Sequence, residues 1–487
     1  MSLSTVLSTA QSSLFNLSQK ASVAARNISG ASDPNYARRT VVMETAGNGA
    51  AVASVDRAAN TRLSASSRDA LSLSVAQNTI SENMKQLSLS LNGTDGSASA
   101  SALLSRLHGA LQTYSASPDN DLLARGVVDA AGTIANALNA SSAEVHSLRA
   151  RMDSEIAGEV ATLNGLLDEF EGVNNAIIKA TLRDGDPNEL LDRRDTLLGR
   201  IAEIVPVTVT ERDHGDVMLT TAGGVMLFET TPRDVTFTPR PAYSAGDTGN
   251  VVRIDGVPVK AGTGADTSSS GSIAAMLQVR DEVTVQTEMQ LDEIARGLVS
   301  MFAETDQTGG GGPARTGLFT WSGGPAVPPD GVLSPGMATT LAVNPLYDPQ
   351  SGGNPSLLRD GGANGAAYVV NAAGGVAFSD RIIALADAME APMAFDTATG
   401  LASDVSLVAY SGNAQAWLEA YRADAGGAAE TKDAMHAALG SKLIAQTGVN
   451  IDDEMASLVE IEHSYKATSR LIATVDNMLA ALLEAAR

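Results

Sequence analysis

Both ends of this 487-residue chain carry the same helical signature. Near the start, Leu3, Leu7, Ala10, Leu14, Leu17, Ala21, Ala24 and Ile28 recur at alternating spacings of four and three. Near the end, Ile461, Tyr465, Thr468, Ile472, Val475, Leu479 and Leu482 repeat the pattern. Mostly apolar residues at that alternation form a narrow seam along one helix face, as in a coiled coil. A short helix with so thin a seam is marginal in water and needs a partner. The simplest partner for each terminal helix is the other, and both seams suit intermolecular packing as well. A chain that closes its ends on one another reads as an assembly subunit more than an enzyme.

The composition narrows the classes further. A formal net charge of -23 and a pI near 4.5 argue against nucleic acid and against an anionic membrane surface, both of which are bound through clustered Lys and Arg. There is no cysteine, so thiol, disulfide and zinc-thiolate chemistry are excluded. No apolar run approaches the ~20 residues that span a bilayer. The N-terminus lacks the basic region and apolar run of a cleavable signal peptide. The expectation is a chain that stays in the cytoplasm or leaves the cell by a route needing no such signal, with no membrane insertion.

The pattern predicts a mainly α fold with a β insertion, in which the terminal helices pair around an elongated helical bundle. Helix is expected over residues 1–31, a turn at Ala31 to Ala37, and a short extended piece at Arg38 to Glu44. Helix follows from Asn60 to about Leu91 and from Leu103 to Tyr114. It restarts at Ser117-Pro118-Asp119, with Ser as cap and Pro in the first turn, and runs to about Leu182. Asp186-Pro187-Asn188-Glu189 reads as another start, Asp186 capping and Glu189 reaching back, for a helix that stops at Pro206. Val207 to Val259 alternates β-branched and polar residues between turns. Helix returns from Ile273 to Phe302. Residues 306–377 are rich in Gly, Pro and Asn and read as loops of limited order with a few short strands. Helical segments at Ser379 to Met389, Ala414 to Tyr421, Ala428 to Gly448 and Asp452 onward complete the set.

Four regions follow. Residues 1–45 with 450–487 form a terminal coiled-coil assembly domain. Residues 50–205 with 272–305 and 378–449 form a helical shell, 206–271 a small β domain, and 306–377 a loop region or small outer domain.

Chemical motifs are sparse. Asp184, Asp186, Asn188 and Asp195 resemble the start of a calcium loop, but Glu189 stands where the loop needs glycine and the last position is not the bidentate Glu. Helix capping explains the same residues better. The five histidines, His108, His146, His214, His436 and His463, are scattered, with no HExxH pair. No GxSxG elbow or phosphate loop occurs. No catalytic, metal or cofactor residue is expected.

The segment Asn27 to Thr40, NISGASDPNYARRT, follows the first heptad helix. It resembles the N-terminal motif of the bacterial flagellar rod, hook and hook-associated proteins at Asn27, Ile28, Ser29, Tyr36 and Arg38. Arg26 and Pro34-Asn35 depart from that pattern. Asn188 to Glu211, NELLDRRDTLLGRIAEIVPVTVTE, resembles a segment of the hook-associated protein 1 family at Asn188, Leu190, Leu191, Asp192, Arg194, Asp195 and Leu198. The chain's end resembles the same family at Gly448, Val449, Asn450, Asp453, Glu454 and Tyr465 before its last heptad helix.

The resemblance implies a non-enzymatic adaptor joining flagellar hook to filament, located outside the cell and exported through the flagellar type III channel. It implies, as partners, other copies of the chain in a ring, hook protein, the third hook-associated protein on the filament side, and an export chaperone. The assembly seams would be Leu3, Leu7, Leu14, Leu17 and Ile28 at one end and Ile461, Tyr465, Ile472, Val475, Leu479 and Leu482 at the other. The alternatives are another axial protein, such as hook protein or the third hook-associated protein, a secreted hydrolase with flagellar-type ends, or a secreted adhesin.

Overall fold

The computed structural model describes residues 3–46, 49–183 and 185–485. Helix α1 spans Leu3–Gly30 and is followed by an antiparallel hairpin, β1 (Arg39–Ala46) and β2 (Gly49–Arg57). Helices α2 (Thr61–Asn92), α3 (Ala100–Ala116), α4 (Asp121–Thr181) and α5 (Asn188–Ile204) come next. Two three-stranded antiparallel sheets follow. The first holds β3 (Val207–Glu211), β4 (Val217–Thr221) and β5 (Met226–Phe228). The second holds β6 (Val235–Thr236), β7 (Arg253–Ile254) and β8 (Val257–Pro258). Helix α6 (Ser272–Gln278) runs through a π-helical turn, Val279–Val283, into α7 (Thr284–Met301). Short pieces then alternate with loops: β9 (Phe319–Thr320), α8 (Met337–Thr340), β10 (Ala342–Val343), α9 (Leu357–Asp360), α10 (Asp380–Glu390), β11 (Pro392–Ala394) and β12 (Asp404–Ser406). Two long helices close the chain, α11 (Leu407–Thr447) and α12 (Ile451–Ala485).

The spine is α4, 61 residues long and therefore about 90 Å from end to end. It has no interior proline, and its buried residues recur at three and four from Ala124 to Ile177. The body's apolar core wraps this stripe with residues of α2, α3, α5, α6, α7, α11 and the first two sheets. Asn164 and Asn174 of α4 reach out to the strands. Asn164 Nδ2 donates to the Val235 carbonyl at 2.9 Å and its Oδ1 accepts from Val235 N at 3.2 Å. Asn174 accepts from Val217 N at 3.3 Å and donates to Asp216. An asparagine amide thus stands where another strand would, so the peptide groups left open at these positions are paired.

Helices α2 and α11 lack a continuous apolar stripe and are matched by polar clamps. Ser74 and Asn78 both donate to Asp433, while Ser88 and Asn92 both donate to Glu419. The two clamps lie fourteen residues apart on each helix, which sets one antiparallel register. The small Ser and Ala side chains between them permit close approach. This explains why α11 is one helix rather than the separate segments at Ala414 to Tyr421 and Ala428 to Gly448. Its glycines are tolerated because the helix is laid along α2.

Other boundaries also differ from expectation. The cap of α4 is Asn120, which accepts from Leu122 N and Leu123 N, rather than Ser117. Helix α5 begins at Asn188. Asp186 accepts from Asn188 N at 3.0 Å, and no hydrogen bond carries Glu189 back to the cap. Strand β2 follows the extended piece at Arg38 to Glu44, although its Ala-rich sequence has little strand propensity. Residues 306–377 are organised around the wholly buried Glu304. It accepts from Tyr347 Oη at 3.0 Å, from Ala363 N at 3.2 Å and from Asn364 N at 3.0 Å, so the loops share a polar core in place of limited order.

Candidate functional site

Helices α1 and α12 pack against each other, and α1 also packs on the hairpin. The end of α1 and the start of α12 meet at one place, so the pair is antiparallel. Arg38 N donates to the Thr447 carbonyl at 2.7 Å, and Arg38 Nε donates to Glu454 Oε1 at 2.7 Å.

Asn27, in the last turns of α1, organises this corner. Its Nδ2 donates to the Arg39 carbonyl at 2.9 Å. Its Oδ1 accepts from Arg39 N and from Tyr36 Oη, each at 3.0 Å. The Tyr36 ring covers Gly30 so closely that a Cβ there would lie 2.6 Å from it, which is why the turn holds glycine. Burial raises the Tyr36 pKa against the opposing effect of the Arg39 guanidinium, which lies 4.9 Å from the ring centre. Asn16, a buried interruption of the first heptad helix, donates to the Ala50 carbonyl of β2.

The segment at Asn188 to Asp195 comes to the same corner. Arg39 and Arg57 are partners across the hairpin, an arrangement that like charges would oppose. Asp192 lies between them: Arg39 Nη2 donates to its Oδ2 at 3.2 Å, and Arg57 Nε to its Oδ1 at 2.6 Å. Arg57 Nη2 also donates to Asp195 Oδ2 at 2.5 Å. Burial lowers the Arg57 pKa, but Asp195 and Asp192 outweigh it and leave the pKa raised. Asn188 Nδ2 donates to the Val55 carbonyl at 2.6 Å, and Arg194 Nη1 to the Gly215 carbonyl at 2.6 Å. Arg26 lies 3.8 Å from Asp186. The motif residues Asn27, Tyr36, Arg38, Asn188, Asp192 and Asp195, far apart in sequence, therefore frame one polar junction between the terminal helices and the body, while Arg194 turns into the body toward Gly215.

Arg39 and Arg57 belong to this junction and were not among the expected site residues, and Glu454, singled out only for the resemblance at the chain's end, joins it as the partner of Arg38. No local signal marked them, because Arg39 and Arg57 face one another only once the hairpin has formed. The heptad residues sort unevenly. Ala10, Ala24 and Val475 are buried. Leu3, Leu7, Leu14, Leu17, Ile28, Ile461, Ile472 and Leu479 are half-buried. Tyr465 and Leu482 stay exposed. Asp184 lies outside the described residues. Asn188 and Asp195, its companions in the calcium-loop reading, are committed to the hairpin. Among the described residues no group of three or more acidic or histidine side chains could hold a metal, and no helix is long and apolar enough to cross a membrane.

Residues 84–317 match the model of the flagellar hook-associated protein FlgK helical domain. Residues 442–485 match that of the flagellar basal body rod FlgEFG protein C-terminal region. These matches, and the relatives that follow, are to flagellar hook-associated protein 1, which the chain resembles. It is 24% identical over 313 residues to hook-associated protein 1 of Salmonella typhimurium, covering 62% of this chain and 56% of that protein. The Bacillus subtilis protein of that name is 23% identical over 422 residues, covering 81% and 78%. The alignment with the Salmonella relative thus spans little over half of that protein's length. A solved structure, the flagellar hook junction protein FlgK from Burkholderia pseudomallei, aligns with a TM-score of 0.43 at 18% identity, over 54% of this chain and 47% of that one.

Proposed function

We propose that this chain is a structural, non-enzymatic adaptor of the bacterial flagellum, placed where hook meets filament. The observation that carries the reading is the apolar surface left open on the paired terminal helices. Along α12, Ile451, Met455, Val459, Leu471, Met478 and Leu482 are about half exposed, and Phe15 of α1 is 62% exposed. Leu482 belongs to the seam itself and the others flank it on both sides, so one antiparallel partner cannot cover them all. Contiguous apolar surface of this kind favours further helices from neighbouring subunits.

In this reading residues 1–45 and 450–487 of adjacent copies pack as an inner ring of helices. The helical body forms the shell around it, and the β sheets face outward. Hook protein and the third hook-associated protein abut the ring on its two sides. The chain reaches its place through the flagellar type III channel, held by a chaperone beforehand. The match at residues 442–485 is to a region named for rod proteins and equally suits another axial component. The longer match at 84–317, to a domain named for hook-associated protein FlgK, favours the junction.

Electron microscopy of flagella from a strain lacking the gene, with and without complementation, tests the assignment. Bare hooks with unassembled flagellin in the medium are expected. Normal filaments would refute the junction role, and missing hooks would indicate an earlier axial component.

A further inference from the structure

Among the described residues, the terminal module, made of α1, the hairpin and α12, contributes none to the body's continuous apolar core, which runs from Ala76 to Ala425. It is joined to the body by polar contacts centred on Arg39, Arg57, Asp192 and Asp195. Open space surrounds that joint. A cavity of about 190 Å³ lies between the turn after α1, α2 and the end of α11. Grooves of about 650 Å³ lie on either side of α5. A module held by charge and bordered by voids has a local stability set by few groups and room to move.

One of those groups is unused. Arg68 of α2 lines the same cavity and one of the same grooves as Arg57 and Asp195. Its Nε is shut off from solvent without a hydrogen-bond partner, and it makes no ion pair with a described residue. Burial pulls its pKa down, and Asp195 is the carboxylate that opposes this most strongly. Its neighbour Arg194 is engaged with the Gly215 carbonyl.

We propose that the terminal module is a hinged arm with a two-position ionic latch, in which Asp195 exchanges Arg57 of the hairpin for Arg68 of α2. In the position observed, Arg57 holds Asp195 and Arg68 has no ion-pair partner among the described residues. When the hairpin lifts, Arg57 and Arg39 pass into water with it, and Asp192 is uncovered. Asp195, already 37% exposed, would lose its partner in the hairpin and lie beside Arg68. Pairing with Asp195 gives Arg68, whose Nε is shut off from solvent, the partner it lacks. The exchange offsets part of the cost of release and so narrows the gap between the two states. The latch belongs to the single chain and holds or fails independently of where the chain assembles.

The test uses the full chain, whose lack of cysteine allows a spin-label pair at Lys179→Cys and Glu460→Cys. Pulsed electron paramagnetic resonance then reads the arm-to-body distance at low and high salt. Two distances are expected, the second gaining with salt, which weakens the ion pairs. Arg57→Gln removes two charged hydrogen bonds and should raise the ratio of open to closed by at least about tenfold. Arg68→Met should lower the open fraction at every salt concentration, and Arg68→Lys should restore it. Circular dichroism verifies that each variant is folded, and Asp192→Asn replaces Arg57→Gln if that variant unfolds. A single distance in the parent and in the latch variants at all salts overturns the hinge. An open population indifferent to Arg68→Met overturns the exchange of partners.

Discussion

Replacing Asn27 with alanine removes three hydrogen bonds at once, and the structure allows the loss to be apportioned. Two of them pair the Arg39 N–H and carbonyl, and Arg39 is buried, so both groups are stranded away from water. Leaving a buried polar group unpaired costs roughly 1–3 kcal/mol. The third partner is the Tyr36 hydroxyl, whose ring is only partly covered and which can turn to solvent at little cost. The sum is roughly 2–6 kcal/mol, concentrated in the terminal module because that module shares no apolar core with the body. Native-state hydrogen exchange reads it directly. The amides of β1 and β2 should exchange at least about thirtyfold faster in Asn27→Ala, while those of α4 and α7 keep their protection. Asn27→Asp keeps an acceptor for Arg39 N and Tyr36 but sets a carboxylate oxygen against the Arg39 carbonyl. Its hairpin protection should therefore recover in acid, where the carboxyl gains a proton to donate. Hairpin exchange in Asn27→Ala within about threefold of the parent would refute the argument that this side chain holds the corner together.

Gly30→Ala should weaken the same corner by about 1–3 kcal/mol, because the new methyl displaces the Tyr36 ring from Asn27; tyrosine fluorescence and hairpin exchange would report it. Asp292 carries a pKa raised to about 6, first by burial, although it accepts from Gly336 N at 2.9 Å and Ala338 N at 2.8 Å. A raised carboxyl pKa means that the folded state binds the proton more tightly than the unfolded one. Its stabilising contribution is complete below about pH 4 and lost as pH rises toward about 6, up to roughly 3 kcal/mol in all. Asp292→Asn should abolish that slope, so that urea denaturation shows the variant gaining on the parent between about pH 4 and pH 7. Removing residues 455–487 should leave the body's thermal transition in circular dichroism in place while abolishing assembly; loss of that transition would mean that α12 is part of the body's core.

The elements that were legible are those whose signal is local. Heptad spacing marked α1 and α12, and an unbroken three-four stripe without proline marked α4 as one long helix. Where two local signals compete, the sequence is ambiguous. Ser117 and Asn120 can each cap a helix, and only the path of the chain past Pro118 decides for Asn120. Strand β2 was illegible because Ala50, Ala51 and Ala53 have no strand preference; it is a strand because β1 and α1 offer it a place. Helix α11 reads as broken at its glycines, yet Asp433 and Glu419 pin it to α2 as a single rod.

By itself the sequence determined that the chain ends in two thin-seamed helices, carries a β segment between long helices, and bears the spaced Asn, Tyr, Arg and Asp residues in which it resembles the flagellar axial proteins. These depend on neighbours within a few residues, where backbone geometry fixes which side chains share a face. The tertiary structure alone decided that Asp192 bridges Arg39 and Arg57, that Glu454 answers Arg38, and that Arg68 makes no ion pair with a described residue. Such pairings join residues more than a hundred positions apart. Whether two such charges meet depends on how the intervening chain packs, and spacing along the sequence carries no record of that.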